Sequence, residues 1–352
     1  MKNTIFKVVG DFFALDIGSS AIRVVQLKNS GTNHNLVKYG AAPIDIKVSL
    51  SDSPADRKKV SDVIVALVNE VGISTRNVVV GLPSNKTFVT IIDLPKMNGS
   101  ELKSTIKYQA DQYIPMSPNE AKIDSAIIGD SPVDQAKMEV LLASVSNKFS
   151  EQRMEMLEAI GFDVVALEPD SLALARSLSP INANANTAQM LVDMGEYATD
   201  IVITLGGVPR LVRSIPTGGQ SLLKAAMQNL NIDENQARQF VYKFGLDQSK
   251  LEGQIYRALA STVEVVSTEV QKSIKFFTTR YQTSSLTGIV TSGAVALLPG
   301  FHQYISAAAG NAPVQAGDSW QNVNYGNSSH EQLMNVNHQF AVASGLAQGV
   351  IK

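Results

Sequence analysis

Two short segments carry residues suited to holding a phosphate. Near the N-terminus, Phe13-Ala14-Leu15-Asp16-Ile17-Gly18-Ser19-Ser20 leads into a second apolar stretch, Ala21 to Leu27, that carries Arg23. Half the chain later, Met190-Leu191-Val192-Asp193-Met194-Gly195-Glu196 leads through Tyr197 and Ala198 into Thr199-Asp200-Ile201-Val202-Ile203. Each copy is an apolar strand, then Asp-x-Gly, then small or polar turn residues, then a second apolar strand. The pattern predicts two β-hairpins in two related halves. The glycines, Gly18 and Gly195, let the backbone turn tightly and leave N–H groups pointing into the turn. Such groups, with hydroxyls, suit phosphate oxygens. The aspartates would repel phosphate unless a cation stands between. Mg²⁺ keeps most of its waters and is held by one or two carboxylates plus phosphates. The expected chemistry is a Mg–nucleotide clamped by two hairpins. Asp16 and Asp193 hold the ion through water, and Ser19, Ser20 and Arg23 meet phosphates. Arg23, on a strand, is equally placed to face solvent. Glu196 stands where either a water-positioning group or a plain surface glutamate would stand. A lone Asp-x-Gly is ordinarily just a hairpin turn; the second copy and a third motif make the stronger case.

That third motif runs from Leu286 through Gly288, Ser292-Gly293-Ala294 and Pro299-Gly300 to Ile305. It reads as strand, glycine turn, short helix, a Pro-Gly break and a second helix. A further candidate is Gly218-Gly219, before a helix bearing Leu222, Leu223, Ala226, Met227 and Leu230. Two glycines at a helix N-terminus let phosphate approach closely, or form an ordinary N-cap turn.

The 352 residues suit two domains rather than one core. With 44% apolar and 18% charged residues the chain is globular. Its net charge of −2 argues against binding nucleic acid or acidic lipid by bulk charge. It has no cysteine, which removes disulfides, thiol nucleophiles and thiolate metal sites and fits a reducing compartment. No stretch approaches the roughly 18 apolar residues of a spanning helix, and Lys7 and Asp11 interrupt the N-terminal segment, so a cytoplasmic protein is expected. P-loop, G-x-G-x-x-G and G-x-S-x-G motifs are missing from the sequence. His330-Glu331 begins like a zinc-protease motif, but no histidine follows at helical spacing. All four histidines, His34, His302, His330 and His338, read as surface residues.

The three motifs, in this order and wide spacing, resemble phosphate 1, phosphate 2 and the adenosine motif of the actin-like ATPase superfamily. Nearly the whole chain further resembles the PilM family of type IV pilus assembly proteins. The resemblance lies in Val78-Val79-Val80-Gly81-Leu82-Pro83, Glu101-Leu102 with Ala110-Asp111-Gln112-Tyr113-Ile114-Pro115, and Glu139 to Val145. It continues in Ile160 to Pro169, Ile215 to Gly219, Glu269 to Phe277 and Gln339 to Ala347. The resemblance implies an α/β, actin-like (duplicated ribonuclease H-like) two-domain ATPase fold with a small inserted α+β subdomain. It implies ATP and Mg²⁺ as ligands, with weak or no hydrolysis. There are two departures. The family's Gly-Gly of the adenosine motif is Gly293-Ala294, and a methyl there crowds or tilts a nucleotide. The acidic residue of the family's Ala-Glu-x-x-Lys helix is Arg238, which cannot accept a hydrogen bond from a ribose hydroxyl.

The elements that must position these residues follow from apolar spacing. Val60, Ile64, Leu67 and Val71 mark one helix. Leu259, Val263, Val266, Val270, Ile274 and Phe277 mark a long one. From about Arg76 to Gly161 come strands at 77–81, 87–93, 121–128 and 137–144. A helix carrying Leu102, Ile106, Ala110 and Tyr113, and another near 151–160, accompany them. The resemblance makes 76–161 the inserted partner-docking subdomain. The expected division is 1–75, 162–180 and a C-terminal helix 337–352 as subdomain 1A, 181–188 as linker, 189–215 and 285–336 as 2A, and 216–284 as 2B.

By resemblance the chain is a platform of the pilus machine. It binds the N-terminal cytoplasmic tail of an inner-membrane PilN-type protein in a groove on 76–161, links it to the motor ATPases, and couples to nucleotide by hinge closure. An FtsA-like filament protein is the alternative. The end of the sequence, Ser344 to Lys352, offers no basic amphipathic helix for it. An actin-fold sugar kinase comes third.

Overall fold

The computed structural model describes residues 11–30, 33–326 and 330–349. The expected 1A limits at residues 1–10 and 350–352 lie outside them. The chain forms two compact units. The first comprises Met1–Ile181, Ser319–Asn335 and Phe340–Lys352; the second comprises Asn182–Asp318 and Val336–Gln339.

The first unit is built on β1 (Phe13–Ile17), β2 (Ala21–Ser30), β3 (Asn33–Pro43) and two helices, α1 (Ile46–Ser49) and α2 (Pro54–Val71). Then come β4 (Asn77–Leu82), β5 (Thr87–Pro95), α3 (Gly99–Gln109), β6 (Ala121–Asp130), β7 (Lys137–Ser146), α4 (Asn147–Glu158), β8 (Asp163–Pro169) and α5 (Asp170–Leu178). Its main sheet has the order β3-β2-β1-β4-β8. The β1–β2 and β2–β3 pairs are antiparallel; β1–β4 and β4–β8 are parallel. Both middle strands are apolar runs without alternation, as strands covered on two faces must be. Phe13 and Leu15, and Val78 and Val80, are fully buried with Ile64 of α2 and Leu157 of α4 in one core.

The second unit repeats this plan with β9 (Thr187–Met194), β10 (Thr199–Leu205), β11 (Val208–Ile215), α6 (Gly219–Leu230), α7 (Glu234–Phe244), α8 (Gln254–Arg280), β12 (Ser285–Ser292), α9 (Phe301–Ala308) and β13 (Val314–Ala316). The sheet order β11-β10-β9-β12-β13 matches the first strand for strand, with the same antiparallel and parallel pairs. The halves are thus one topology used twice. Leu259, Val263, Val266, Val270 and Phe277 line the buried face of α8.

The three-stranded antiparallel sheet β5-β7-β6 is a separate layer of the first unit. A capping box between Asn98 and Glu101 starts α3. Its Leu102 and Ile106 pack with Leu94, Met138, Val140 and Leu142. This insert is smaller than the sequence reading of 76–161. Strand β4 and Leu157 of α4 belong to the main core, so the insert spans about residues 83–146. The apolar run Val78-Val79-Val80 explains why: it fits the middle of a covered sheet, not the face of a small one.

Helices α10 (His330–Val336) and α11 (Ala341–Ala347) follow β13. Two further boundaries differ. Residues 319–335, expected in 2A, pack with the first unit. Trp320 is buried between Tyr39 and Phe340, and the Asn322 amide donates to the carbonyls of Arg176 and Ser179. Residues 336–339, expected in the C-terminal helix, group with the second unit, where Gly293 N–H donates to His338 O. The histidines also depart from a surface reading, and only His330 is exposed. His34 is buried against Asn29 at 2.8 Å, and its pKa is lowered by burial and then by the Arg176 charge. His302 is half-buried against Thr291.

Candidate functional site: two phosphate hairpins

The first hairpin joins β1 to β2. Asp16 and Arg23 are cross-strand partners, and the guanidinium meets the carboxylate at 3.1 Å. Burial raises the Asp16 carboxyl above its ordinary value, and Arg23 pulls it only part of the way back. Arg23 therefore points at the aspartate, not at solvent. Gly18 N–H donates to Ala21 O at 3.1 Å and closes the turn. The turn is pinned from outside by Ser49 Oγ to Gly18 O and Ile44 N–H to Ser20 O. The backbone N–H groups and hydroxyls of Ser19 and Ser20 have no partner among the described residues. They form the open face of the hairpin.

The second hairpin joins β9 to β10 in the same geometry, with Gly195 N–H donating to Ala198 O at 3.0 Å. Here the cross-strand partner of Asp193 is Asp200. Asp193 instead accepts a hydrogen bond from Ser292 Oγ. The parallel register of β12 with β9 places Ser292 directly beside Asp193. Gly293 and Ala294 follow at once, so pairing alone brings the third motif to the second hairpin. Gly293 has φ +87, a left-handed value that a side chain would strain. Ala294 opens a 3₁₀ turn and is half-buried.

Gly218 and Gly219 serve the hairpin itself. The first-turn N–H groups of α6 donate to hairpin carbonyls, Gly219 to Gly195 O at 3.1 Å and Gln220 to Glu196 O at 2.8 Å. A Cβ on Gly218 would lie 2.5 Å from Gly195 O. These glycines let a helix end sit on a turn, and those two amides point at protein.

Glu196 is neither a free surface carboxylate nor poised on open solvent. Its Oε1 accepts from the Tyr242 hydroxyl at 2.6 Å and its Oε2 from the Gln220 amide at 3.2 Å. Burial, then the bond to Glu196, pushes the Tyr242 phenol up. Nothing in the sequence announces this tether, because Tyr242 lies on α7, far along the chain. Arg238, on the same helix, is exposed and ion-paired to Glu234 at 3.4 Å.

Among the described residues no cluster of three or more His, Asp or Glu side chains could hold a metal. An ion held largely by its own waters fits the first hairpin nonetheless. Asp16 Oδ1 has no hydrogen-bond partner among the described residues, and burial leaves this carboxylate short of compensating charge.

The comparisons with known proteins agree with this architecture. The chain of a solved PilM–PilN type IV pilus biogenesis complex is similar with a TM-score of 0.83 at 23% identity, covering 98% of this chain and 100% of that one. The ethanolamine utilization protein EutJ from Carboxydothermus hydrogenoformans matches with a TM-score of 0.56 at 16% identity, over 98% and 92% of the two chains. MreB 5 of Spiroplasma citri, solved bound to AMPPNP, matches with a TM-score of 0.56 at 12% identity, over 95% and 94%. The fold is the actin-like two-domain fold. The family model described as type IV pilus assembly protein PilM matches residues 14–349, insert and both hairpins included. The chain belongs to the PilM family of type IV pilus assembly proteins.

Proposed function

We propose that this protein is a nucleotide-binding platform of type IV pilus assembly that takes the N-terminal cytoplasmic tail of a PilN-type inner-membrane protein on its insert and links it to the motor ATPases. The observation that carries this reading is the family match over residues 14–349. The likeness to a chain solved with PilN supports the partner. Among the described residues no helix is long and apolar enough to cross a membrane, which suits a cytoplasmic position reached through partners.

The nucleotide is read as ATP. Ser19 and Ser20 offer phosphate oxygens N–H and hydroxyl donors that are unpaired among the described residues, and Gly293-Ala294 of the second unit is read as the adenosine motif. Asp16 would hold a hydrated Mg²⁺ through water, and Asp193 is the equivalent carboxylate of the second unit; the ion when bound supplies positive charge to the phosphates. Each carboxylate oxygen of Glu196 already accepts one hydrogen bond, from Tyr242 and from Gln220, which fixes its orientation on the second hairpin. No residue is assigned to place an attacking water, and the reading is of nucleotide binding with slow or no hydrolysis.

Calorimetric titration of the full chain with the tail peptide of its membrane partner, with and without Mg–ATP, tests the reading. Saturable binding whose affinity changes with nucleotide supports a coupled platform. Nucleotide uptake without tail binding would turn the reading toward an FtsA-like filament, checked by sedimentation, or a sugar kinase, checked by phosphate transfer.

A further inference from the structure

Where the insert joins the main sheet, two cations share one aromatic ring. Lys86 closes the turn after β4, with its N–H donating to Pro83 O at 2.8 Å. Phe149 and Arg153 lie one turn apart on α4, just after the insert returns. The Lys86 ammonium lies 5.7 Å from the Phe149 ring centre and the Arg153 guanidinium 5.3 Å from it. Neither cation makes a hydrogen bond or ion pair with any described residue. Asp170 and Asp52 act on Arg153 only from beyond ion-pair distance.

This is an unusual state for such groups. A guanidinium carries five N–H donors, and those of Arg153 meet no acceptor among the described residues. Arg153 is half-buried and Phe149 likewise, while Lys86 is exposed. Burial disfavours the charged Arg153, so its pKa is pushed down. Two like charges beside one ring repel each other. A carboxylate brought beside them would relieve that repulsion and satisfy open donors, in a partly desolvated place where a charge-assisted hydrogen bond is strong. The α4 N-terminus lies in the same neighbourhood. Its N-cap residue, Ser146, makes no side-chain capping bond, which leaves further donors for an anion.

We infer that Lys86, Phe149 and Arg153 form a subsite at the joint of the insert that receives an acidic side chain of a docked peptide. The inference rests on the tail-binding reading above and names the chemistry of one contact within it. A peptide is the occupant because the cluster holds an aromatic surface beside the charges. That combination takes an acidic residue together with the apolar stem or neighbour it is carried on.

The test is calorimetry on the full chain with the partner's tail peptide at low and physiological salt. Wild type should bind, more weakly at the higher salt. K86A/R153A should bind about tenfold more weakly and lose most of the salt dependence, while R153K should recover part of the affinity. Thermal unfolding of each variant reports whether it is folded. A second arm leaves the protein untouched: Asp and Glu residues of the peptide are changed one at a time to Asn and Gln, and one change should reproduce the loss and be silent against K86A/R153A. Unchanged affinity across the folded variants and the neutralised peptides would overturn the subsite while leaving tail binding intact. No binding by wild type would overturn the tail reading and the subsite together.

Discussion

Asp16 and Arg23 face one another across the first hairpin at 3.1 Å, whereas the same two positions of the second hairpin hold Asp193 and Asp200. The duplicated halves therefore share a backbone and differ in charge. In the first, the cross-strand partner of the aspartate is a cation, and in the second it is another carboxylate. Both side chains are mostly withdrawn from solvent, 13% exposed for Arg23 and 8% for Asp16. Removing one partner strands the other. Arg23→Gln should destabilise the protein by about 2–4 kcal/mol, read by urea denaturation, and Arg23→Lys by less.

The pair also sets a pH response. The Asp16 carboxyl titrates above its unfolded value, chiefly because it is buried. The folded state then binds the proton more tightly. Its contribution to stability is fully present below the unfolded pKa and is lost as the pH rises through the folded one. The stability of wild type relative to Asp16→Asn should fall as pH rises above about 4. Denaturation curves of both proteins across that range check this, and parallel pH profiles would contradict it.

The hairpin glycines are not equivalent. A Cβ on Gly18 would stand 2.9 Å from Ala21 O and 3.0 Å from Arg23 Nη1, whereas on Gly195 the nearest atom is 3.5 Å away. Gly18→Ala should cost about 1–3 kcal/mol and Gly195→Ala under about 1 kcal/mol. Gly218→Ala should resemble the former, because it drives α6 off the second turn. Thermal unfolding of the three variants ranks them.

Tyr242 ties α7 to the second hairpin through Glu196. Tyr242→Phe should lower stability by about 1–2 kcal/mol. In an alkaline spectrophotometric titration it should also remove a late-ionising phenol, in keeping with the raised pKa of Tyr242. A profile unchanged in its late phase would show that the tether does not hold in solution.

The insert limits can be checked by excision. Replacing residues 83–146 with a flexible Gly-Ser linker should leave a folded protein that no longer binds the tail. Replacing 76–161 should unfold it, because β4 and Leu157 leave with it. Circular dichroism separates the two results.

Much of this was legible in the residues. The Asp-x-Gly spacing located both hairpins, and apolar periodicity located α2 and α8, because those signals are local. The membership of β4 was also legible in principle, since three consecutive valines mark a strand covered on both faces. What escaped depends on distant contacts. Glu196 looked open because the tyrosine that holds it arrives on another helix. Gly218-Gly219 reads equally as a phosphate approach and as an N-cap turn, and the bonds from the Gly219 and Gln220 amides to the second hairpin required its fold. Residues 319–335 joined the first unit through Trp320 and Asn322, whose partners lie far back in the sequence. Ser292 stood inside a recognised motif, yet its bond to Asp193 required the register of two parallel strands.

The placement of the insert has a kinetic side. Strands β4 and β8 pair in parallel, yet the whole insert lies between them in sequence. Closing so long a loop is entropically unfavourable if the intervening chain is disordered, and non-local parallel pairing is slow. The antiparallel sheet β5-β7-β6 pairs segments that all lie within the insert, and with α3 it has its own apolar core. Once collapsed, it replaces a long random loop with a short effective one and brings the ends of β4 and α4 within reach. The insert is thus also a folding staple for the sheet it interrupts. Mutations in the Leu102–Ile106–Val140 core should slow formation of the main sheet although they touch none of its strands.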